Sequence, residues 1–239
     1  MVLSSRVVRQ SVPIFGLAAI LLIAGTVVAQ SRESDWARCS GDTDDDNVLI
    51  RTCTAVIGEK HRTNDDYALA FKNLCLAYND KGDRARAIRA CDQAISLRPD
   101  YIDAYLFRGH AYLNKGDYEL AIQDYDKAIS LGSHAATTFV QRGAANHKAG
   151  NDLGAIEDLN RAIDLDPNDA TAFYIRGAAY EAENDNDRAI EDYSQAIRLA
   201  PSFAVAFYRR GVLERQMGNT RAGDEDIARA RKIDRTLGK

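Results

Sequence analysis

Shifted by 34 residues, this sequence matches itself, and that period restricts the possible folds more than any other feature. Arg-Gly recurs at Arg108-Gly109, Arg142-Gly143, Arg176-Gly177 and Arg210-Gly211. Ala87, Ala121, Ala155 and Ala189 keep the same step, as do Ala94, Ala128, Ala162, Ala196 and Ala230. Prolines recur at Pro99, Pro167 and Pro201, with Ser133 in the remaining slot. A fixed period of this length marks stacked repeats, each one a supersecondary unit that buries its apolar face against the next.

The unit from Ala170 to Phe203 shows what is being repeated. Phe173, Ile175, Gly177, Ala178 and Tyr180 mark a first helix, and Glu183 to Asp187 is a polar break. Ala189, Ile190, Tyr193, Ala196, Ile197 and Leu199 then return at helical spacing. At the break the other units carry Gly82, Gly116, Gly150 and Gly218, residues that tolerate positive φ at a helix end. Asn184 takes that place here, the next-best residue for the conformation. Pro201 stops the second helix. The small residues Gly177, Ala189 and Ala196 suit close approach of two helix backbones, with Phe173, Tyr180 and Tyr193 filling the space beside them.

The pattern resembles the tetratricopeptide repeat: a large residue, then Gly or Ala, Tyr, Ala, an aromatic, Ala and Pro, here Phe173, Gly177, Tyr180, Ala189, Tyr193, Ala196 and Pro201. The resemblance covers residues 68–101, 102–135, 136–169, 170–203 and 204–237 and implies an all-α solenoid of five helix-turn-helix repeats. The third repeat departs at Asn146 and Leu159, and the fifth at Glu214, Gly223 and Arg235, as a polar terminal repeat closing the stack would.

Two positions vary together. Arg108, Arg142, Arg176 and Arg210 on the first helices are each followed 16 residues later by Asp124, Asp158, Asp192 and Asp226. Repeat one has Leu74 and Ala90 there, so both partners are missing together. The covariation predicts structural Arg–Asp ion pairs, joining either the two helices of one repeat or a repeat to its neighbour.

Residues 1–29 differ from all that follows. Arg6 and Arg9 precede an uncharged run from Ser11 to Ala29, and Val27-Val28-Ala29 offers a cleavage site that leaves Gln30 first. This reads as a secretory signal, with an uncleaved membrane anchor as the alternative. The composition points to a Gram-negative chain, and so to the periplasm. Residues 30–67 break the period and read as a cysteine-containing cap or degenerate repeat, with Val48 to Ile57 as one helix. Its Trp36-x-x-Cys39 start and Cys53-Thr54 helix resemble exported repeat proteins of α-proteobacteria.

Four cysteines in an exported chain allow three pairings. Cys39–Cys53 is the expected one, stapling the cap across a polar loop. Cys75 and Cys91 should face the interior of repeat one, as a second disulfide or as two buried thiols. Asp42, Asp44 and Asp46 begin with calcium-loop spacing, but Asn47 stands where glycine is wanted and Cys53 where the bidentate glutamate belongs, so the loop reads as solvated.

The sequence contains no His-Glu-x-x-His, Gly-x-Ser-x-Gly, phosphate loop or dinucleotide fingerprint. His61, His110, His134 and His147 have no metal-ligand spacing. A net charge of −4, with basic and acidic residues interspersed, gives no electrostatic basis for nucleic-acid binding. Neither catalytic residues nor a metal, cofactor or small-molecule substrate is expected.

In tetratricopeptide arrays the first helices line a concave groove that holds a peptide or helix. The resemblance places Leu69, Lys72, Leu76 and Asn79 there in repeat one, and Asp103, Leu106, His110 and Leu113 in repeat two. Thr137, Val140, Ala144 and His147 follow in repeat three, then Thr171, Tyr174, Ala178 and Glu181, and finally Val205, Tyr208, Val212 and Arg215. The middle of this stripe is apolar and aromatic, the character of a surface that binds a partner's apolar or aromatic segment. The bland alternative is that Leu106, Val140, Tyr174 and Tyr208 only pack on neighbouring helices. Some relatives clamp a C-terminal carboxylate with Lys and Asn on successive first helices; Lys72 fits, but Leu76 replaces the asparagine. A non-enzymatic scaffold or adaptor is the leading expectation, and a structural or self-associating subunit of an envelope complex is the alternative.

Overall fold

The computed structural model describes residues 30, 32–41 and 45–238, so the signal segment and the acidic positions Asp42 and Asp44 lie outside the described residues. Those residues are all-helical, with no strand among them. Residues 32–40 form α1, followed by α2 (Asp46–Ile57), α3 (Asn64–Asp80) and α4 (Arg84–Leu97). Then come α5 (Ile102–Lys115), α6 (Tyr118–Ser130), α7 (Ala136–Lys148) and α8 (Asp152–Leu165). The chain closes with α9 (Ala170–Ala182), α10 (Asn186–Leu199), α11 (Ala204–Gln216) and α12 (Thr220–Ile233). Consecutive helices pack on one another from α2 to α12, and α3, α5, α7 and α9 also touch in succession. The fold is therefore a solenoid in which the odd-numbered helices α3, α5, α7 and α9 meet along one face.

Local chemistry delimits these helices. Asp83, Asn151 and Asp185 accept the backbone N–H of Arg86, Gly154 and Arg188, capping α4, α8 and α10. Thr63 and Asp66 form a reciprocal capping box at the start of α3. The turn inside each helix pair needs one left-handed residue. Asn184 supplies it between α9 and α10 at φ 61°, where Gly82, Gly116, Gly150 and Gly218 serve the other pairs. It is the one described residue other than glycine with positive φ.

The core is a column of small residues with aromatics between them. Ala87, Ala121, Ala155 and Ala189 are fully buried, as are Ala94, Ala128, Ala162, Ala196 and Ala230. A Cβ on Gly109 or Gly177 would lie 3.0 Å from the ring of Tyr125 or Tyr193, so the missing side chain is what admits the ring. Both tyrosines are essentially buried. In the first pair the same two positions hold Cys75 and Cys91, which are disulfide-bonded with Cα atoms 5.3 Å apart. Cys39 and Cys53 are also bonded, tying α1 to α2. All four cysteines are fully buried, in one cluster with Leu49, Val56, Leu74 and Tyr101. This cluster welds the irregular N-terminal helices to the repeat stack.

Candidate functional site

A row of arginines organises one flank of the stack. Arg108 on α5 donates to Asp124 on α6 in a two-pronged pair at 2.9 and 2.7 Å, and its third nitrogen donates to Asp92 on α4 at 2.6 Å. Arg142 repeats the arrangement with Asp158 ahead and Asp126 behind. Arg176 reaches Asp192 ahead and the neutral Asn160 behind, and Arg210 reaches Asp226 ahead and Ser194 behind. Each arginine thus joins the partners of its own helix pair and also bolts that pair to the preceding one. The pairs with the aspartate 16 residues later join the two helices of one repeat, the first of the two alternatives; the tie to the preceding repeat runs through other residues, Asp92, Asp126, Asn160 and Ser194. The rear partners, at the same spacing in the other direction, were missed because Asp92, Asp126, Asn160 and Ser194 share no single residue type.

Burial sets the electrostatics. Asp124, Asp158 and Asp192 are each only 4% exposed. Burial pushes the Asp124 carboxyl above its ordinary value, an effect Arg108 opposes. Burial alone would lower the Arg108 guanidinium, but hydrogen bonds and attraction from Asp124 and Asp92 outweigh it and raise it. The two directions describe one ionised pair held at a desolvation cost. These arginines are occupied structurally.

The face of the odd-numbered helices is less uniform than its sequence stripe. Between α3, α5 and α7 it opens into a cavity of about 340 Å³. Leu76, Asn79 and Asp80 line it from α3, Leu106, Phe107 and His110 from α5, and Thr137, Thr138 and Gln141 from α7, with Tyr125 of α6 behind them. Five expected groove residues, Leu76, Asn79, Leu106, His110 and Thr137, meet here. Asn79 is fixed by donating to the Phe107 carbonyl at 2.8 Å. His110 and Asn114 bond one turn apart on α5. Lys72 approaches the Phe107 ring at 5.9 Å, while Leu69 and Leu113 are half-buried.

Other residues of the stripe are spent elsewhere. Val140 is 4% exposed and packs in the core with Leu159 and Ala172, so it presents nothing to a ligand. Tyr174 packs on Tyr193 and Phe203, with ring centroids 5.8 and 5.0 Å away. Tyr208 is half-buried and Gly238 lies beside its ring, where an added Cβ would come to 3.0 Å. His147 pairs with Asp152 across the α7–α8 turn, and Arg215 reaches Asp224 on α12 at 3.5 Å. Val212 is half-buried. Glu181 accepts the Tyr193 hydroxyl at 2.7 Å and pairs with Arg209 at 3.1 Å. Packing against the next helix claims these side chains, and neither type nor spacing reveals it. Phe107, Tyr125 and Gln141, absent from the expected set, belong to the cavity instead.

Among the described residues no cluster of His, Cys, Asp and Glu could hold a metal ion, and no helix is long and apolar enough to cross a membrane. The two disulfides fit an oxidising, exported environment.

Family models for the tetratricopeptide repeat match residues 102–133 and 170–203 and residues 73–101, and a TPR repeat model matches 147–184. Among solved structures, MamA is 27% identical, with 68% of this chain and 95% of that one covered at a TM-score of 0.62. YrrB, a TPR protein described as having an unusual peptide-binding site, is 25% identical, with 77% and 93% covered and a TM-score of 0.62. A tetratricopeptide repeat protein from Parabacteroides merdae shares the fold at a TM-score of 0.71 and 18% identity, with 85% and 80% covered. No curated protein sequence matches the chain.

Proposed function

Because tetratricopeptide repeats make up the body of this chain, we propose that it is a non-enzymatic scaffold that holds a peptide or helix of a partner protein against its odd-numbered helices. The observation that carries this reading is the cavity framed by Leu76, Leu106 and Phe107, an apolar recess on the face expected to bind. YrrB, of the same fold, is described by a peptide-binding site, which supports the class of ligand. We take the functional unit to be five repeats over 68–237, with residues 30–67 as the cap and 1–29 as the export signal. The paired cysteines support a periplasmic location.

The reading is tested by affinity capture from envelope extract, with the full chain beside a Leu76→Asp/Leu106→Asp variant of equal helicity. Both leucines are partly exposed, so the charges can be solvated without opening the core. A partner held by the wild type and lost by the variant supports the reading. Identical recoveries would sink it, and a second copy of the chain recovered in the same way would transfer the face to self-association.

A further inference from the structure

One residue of the cavity wall carries a buried hydroxyl with no hydrogen-bond partner among the described residues. That residue is Tyr125, which is 1% exposed. A buried hydroxyl left unpaired keeps the full cost of leaving water, so such groups are uncommon and call for an explanation. Its ring is held by Gly109 on one side and packs with Leu106 and Leu113, and the residue lines the cavity.

The same chain shows what satisfies this hydroxyl. Two repeats on, Tyr193 stands at the equivalent position, packed on Gly177 as Tyr125 is on Gly109. Its hydroxyl donates to Glu181, and Glu181 is neutralised by Arg209 of the following repeat. Shifting these two back by 68 residues gives Leu113 and Gln141. In repeats two and three, therefore, the acceptor has become a leucine and its counter-ion a neutral amide. Leu113, in the place of Glu181, packs in the Tyr125 cluster, and Gln141, in the place of Arg209, lines the cavity.

We propose that the Tyr125 hydroxyl is the anchor of a partner-recognition pocket that takes a neutral carbonyl, a glutamine or asparagine amide or a backbone carbonyl, from an apolar peptide segment. Neutrality follows from the lining. A carboxylate would be buried with no arginine or lysine in the cavity wall, and Asp80 would repel it. An amide oxygen accepts the phenolic proton, and Gln141 lies in the same wall to bond its N–H. The leucine and phenylalanine side chains cover the flanking apolar groups. This inference rests on the scaffold reading above and adds the chemistry of what is recognised.

The test uses two probes of one shape, isovaleramide and isovalerate, titrated into the isotope-labelled full chain while the Gly109 and Ala145 amide signals beside the Tyr125 ring are followed by NMR. The amide should shift these signals saturably and bind more tightly than the carboxylate. Tyr125→Phe should weaken the amide about three- to tenfold, the range of one neutral hydrogen bond, without lowering the melting temperature of the free protein. Leu113→Glu/Gln141→Arg, which grafts the internal plug, should abolish amide binding in a protein of equal helicity. Equal affinity of wild type and both variants, tighter binding of isovalerate, or no binding of isovaleramide overturns the inference. If capture from envelope extract still depends on Leu76 and Leu106 in that event, the scaffold reading stands and only the carbonyl anchor falls.

Discussion

Cys75 and Cys91 are bonded across the first helix pair at the two positions where the next pair sets Gly109 against the ring of Tyr125. One residue before each, Leu74 and Ala90 replace the arginine and aspartate that pin the later pairs together. The first repeat therefore lacks the ionic tie of its successors and carries a covalent one beside the vacant positions. The bond closes a loop of separation 16, for which chain-entropy arguments give about 3 kcal/mol.

That exchange sets the first expectation. Cys75→Ala/Cys91→Ala should lower the unfolding free energy in urea by about 3 kcal/mol. Because repeat stacks lose order locally, amide exchange should accelerate in α3 and α4 well before α9 and α10. Uniform acceleration along the chain would contradict a local role.

The arginine row predicts an asymmetry. Arg108→Ala leaves the buried Asp124 without a counter-ion and should cost about 3–5 kcal/mol. Asp124→Ala should cost less, because Arg108 keeps Asp92 at 2.6 Å. Asp192→Ala should cost more than Asp124→Ala, since the hydrogen-bond partner left to Arg176 is the neutral Asn160 where Arg108 keeps an aspartate. Chemical denaturation of the three variants orders them, and equal losses would exclude the rear partner as a contributor.

Helix approach is closest in the last pair. A Cβ on Gly211 would lie 2.7 Å from the Gly223 carbonyl oxygen, a backbone atom that can yield only if the helices separate. Gly211→Ala should therefore destabilise by about 1–2 kcal/mol, overpacking exceeding the gain of up to about 1 kcal/mol in helix propensity. A higher urea midpoint for the variant would show that α11 and α12 can part without loss.

Acid stability should depend on the helix caps. The Asp83 carboxyl is held below its ordinary value of 3.8 by the Arg86 backbone N–H and then the Arg86 side chain. Asp185 is lowered by the Arg188 side chain and then its backbone N–H. A carboxyl lowered by folding contributes stability that is present above pH 3.8 and lost as pH falls through the lowered value. Asp83→Asn/Asp185→Asn keeps a capping oxygen without the titration. Its melting temperature should fall less steeply than the wild type's between about pH 4 and pH 2. Parallel curves would mean that the caps do not titrate on folding.

Much of the architecture was legible because it depends on local or strictly periodic interactions. The 34-residue step places Gly177 against Tyr193 and Ala189 beside both, whatever lies further along the stack. Asn184 was identifiable because a helix-to-helix turn needs a left-handed residue and asparagine tolerates it best after glycine. The cysteines were legible as interior positions, but the state of Cys75 and Cys91 was not: bonding requires their Cα atoms within a few ångströms, and only the crossing of α3 and α4 brings them to 5.3 Å.

The functional face was legible only as a stripe. Each of its side chains meets the neighbouring helix as well as solvent, so its fate depends on a third residue that the 34-residue step does not specify. Val140 is buried because α7 presses it toward Leu159 and Ala172, and half-buried Tyr208 has Gly238 beside its ring. Tyr125 and Tyr193 are the same residue at the same place in the repeat, and one hydroxyl is satisfied while the other is not. The sequence by itself determined the repeat, its helices, its turns and its small-residue seam, all products of short-range periodicity. Tertiary structure decided which positions of that repeat stay open, because burial and hydrogen bonding are settled by what neighbouring helices bring within about 3–4 Å.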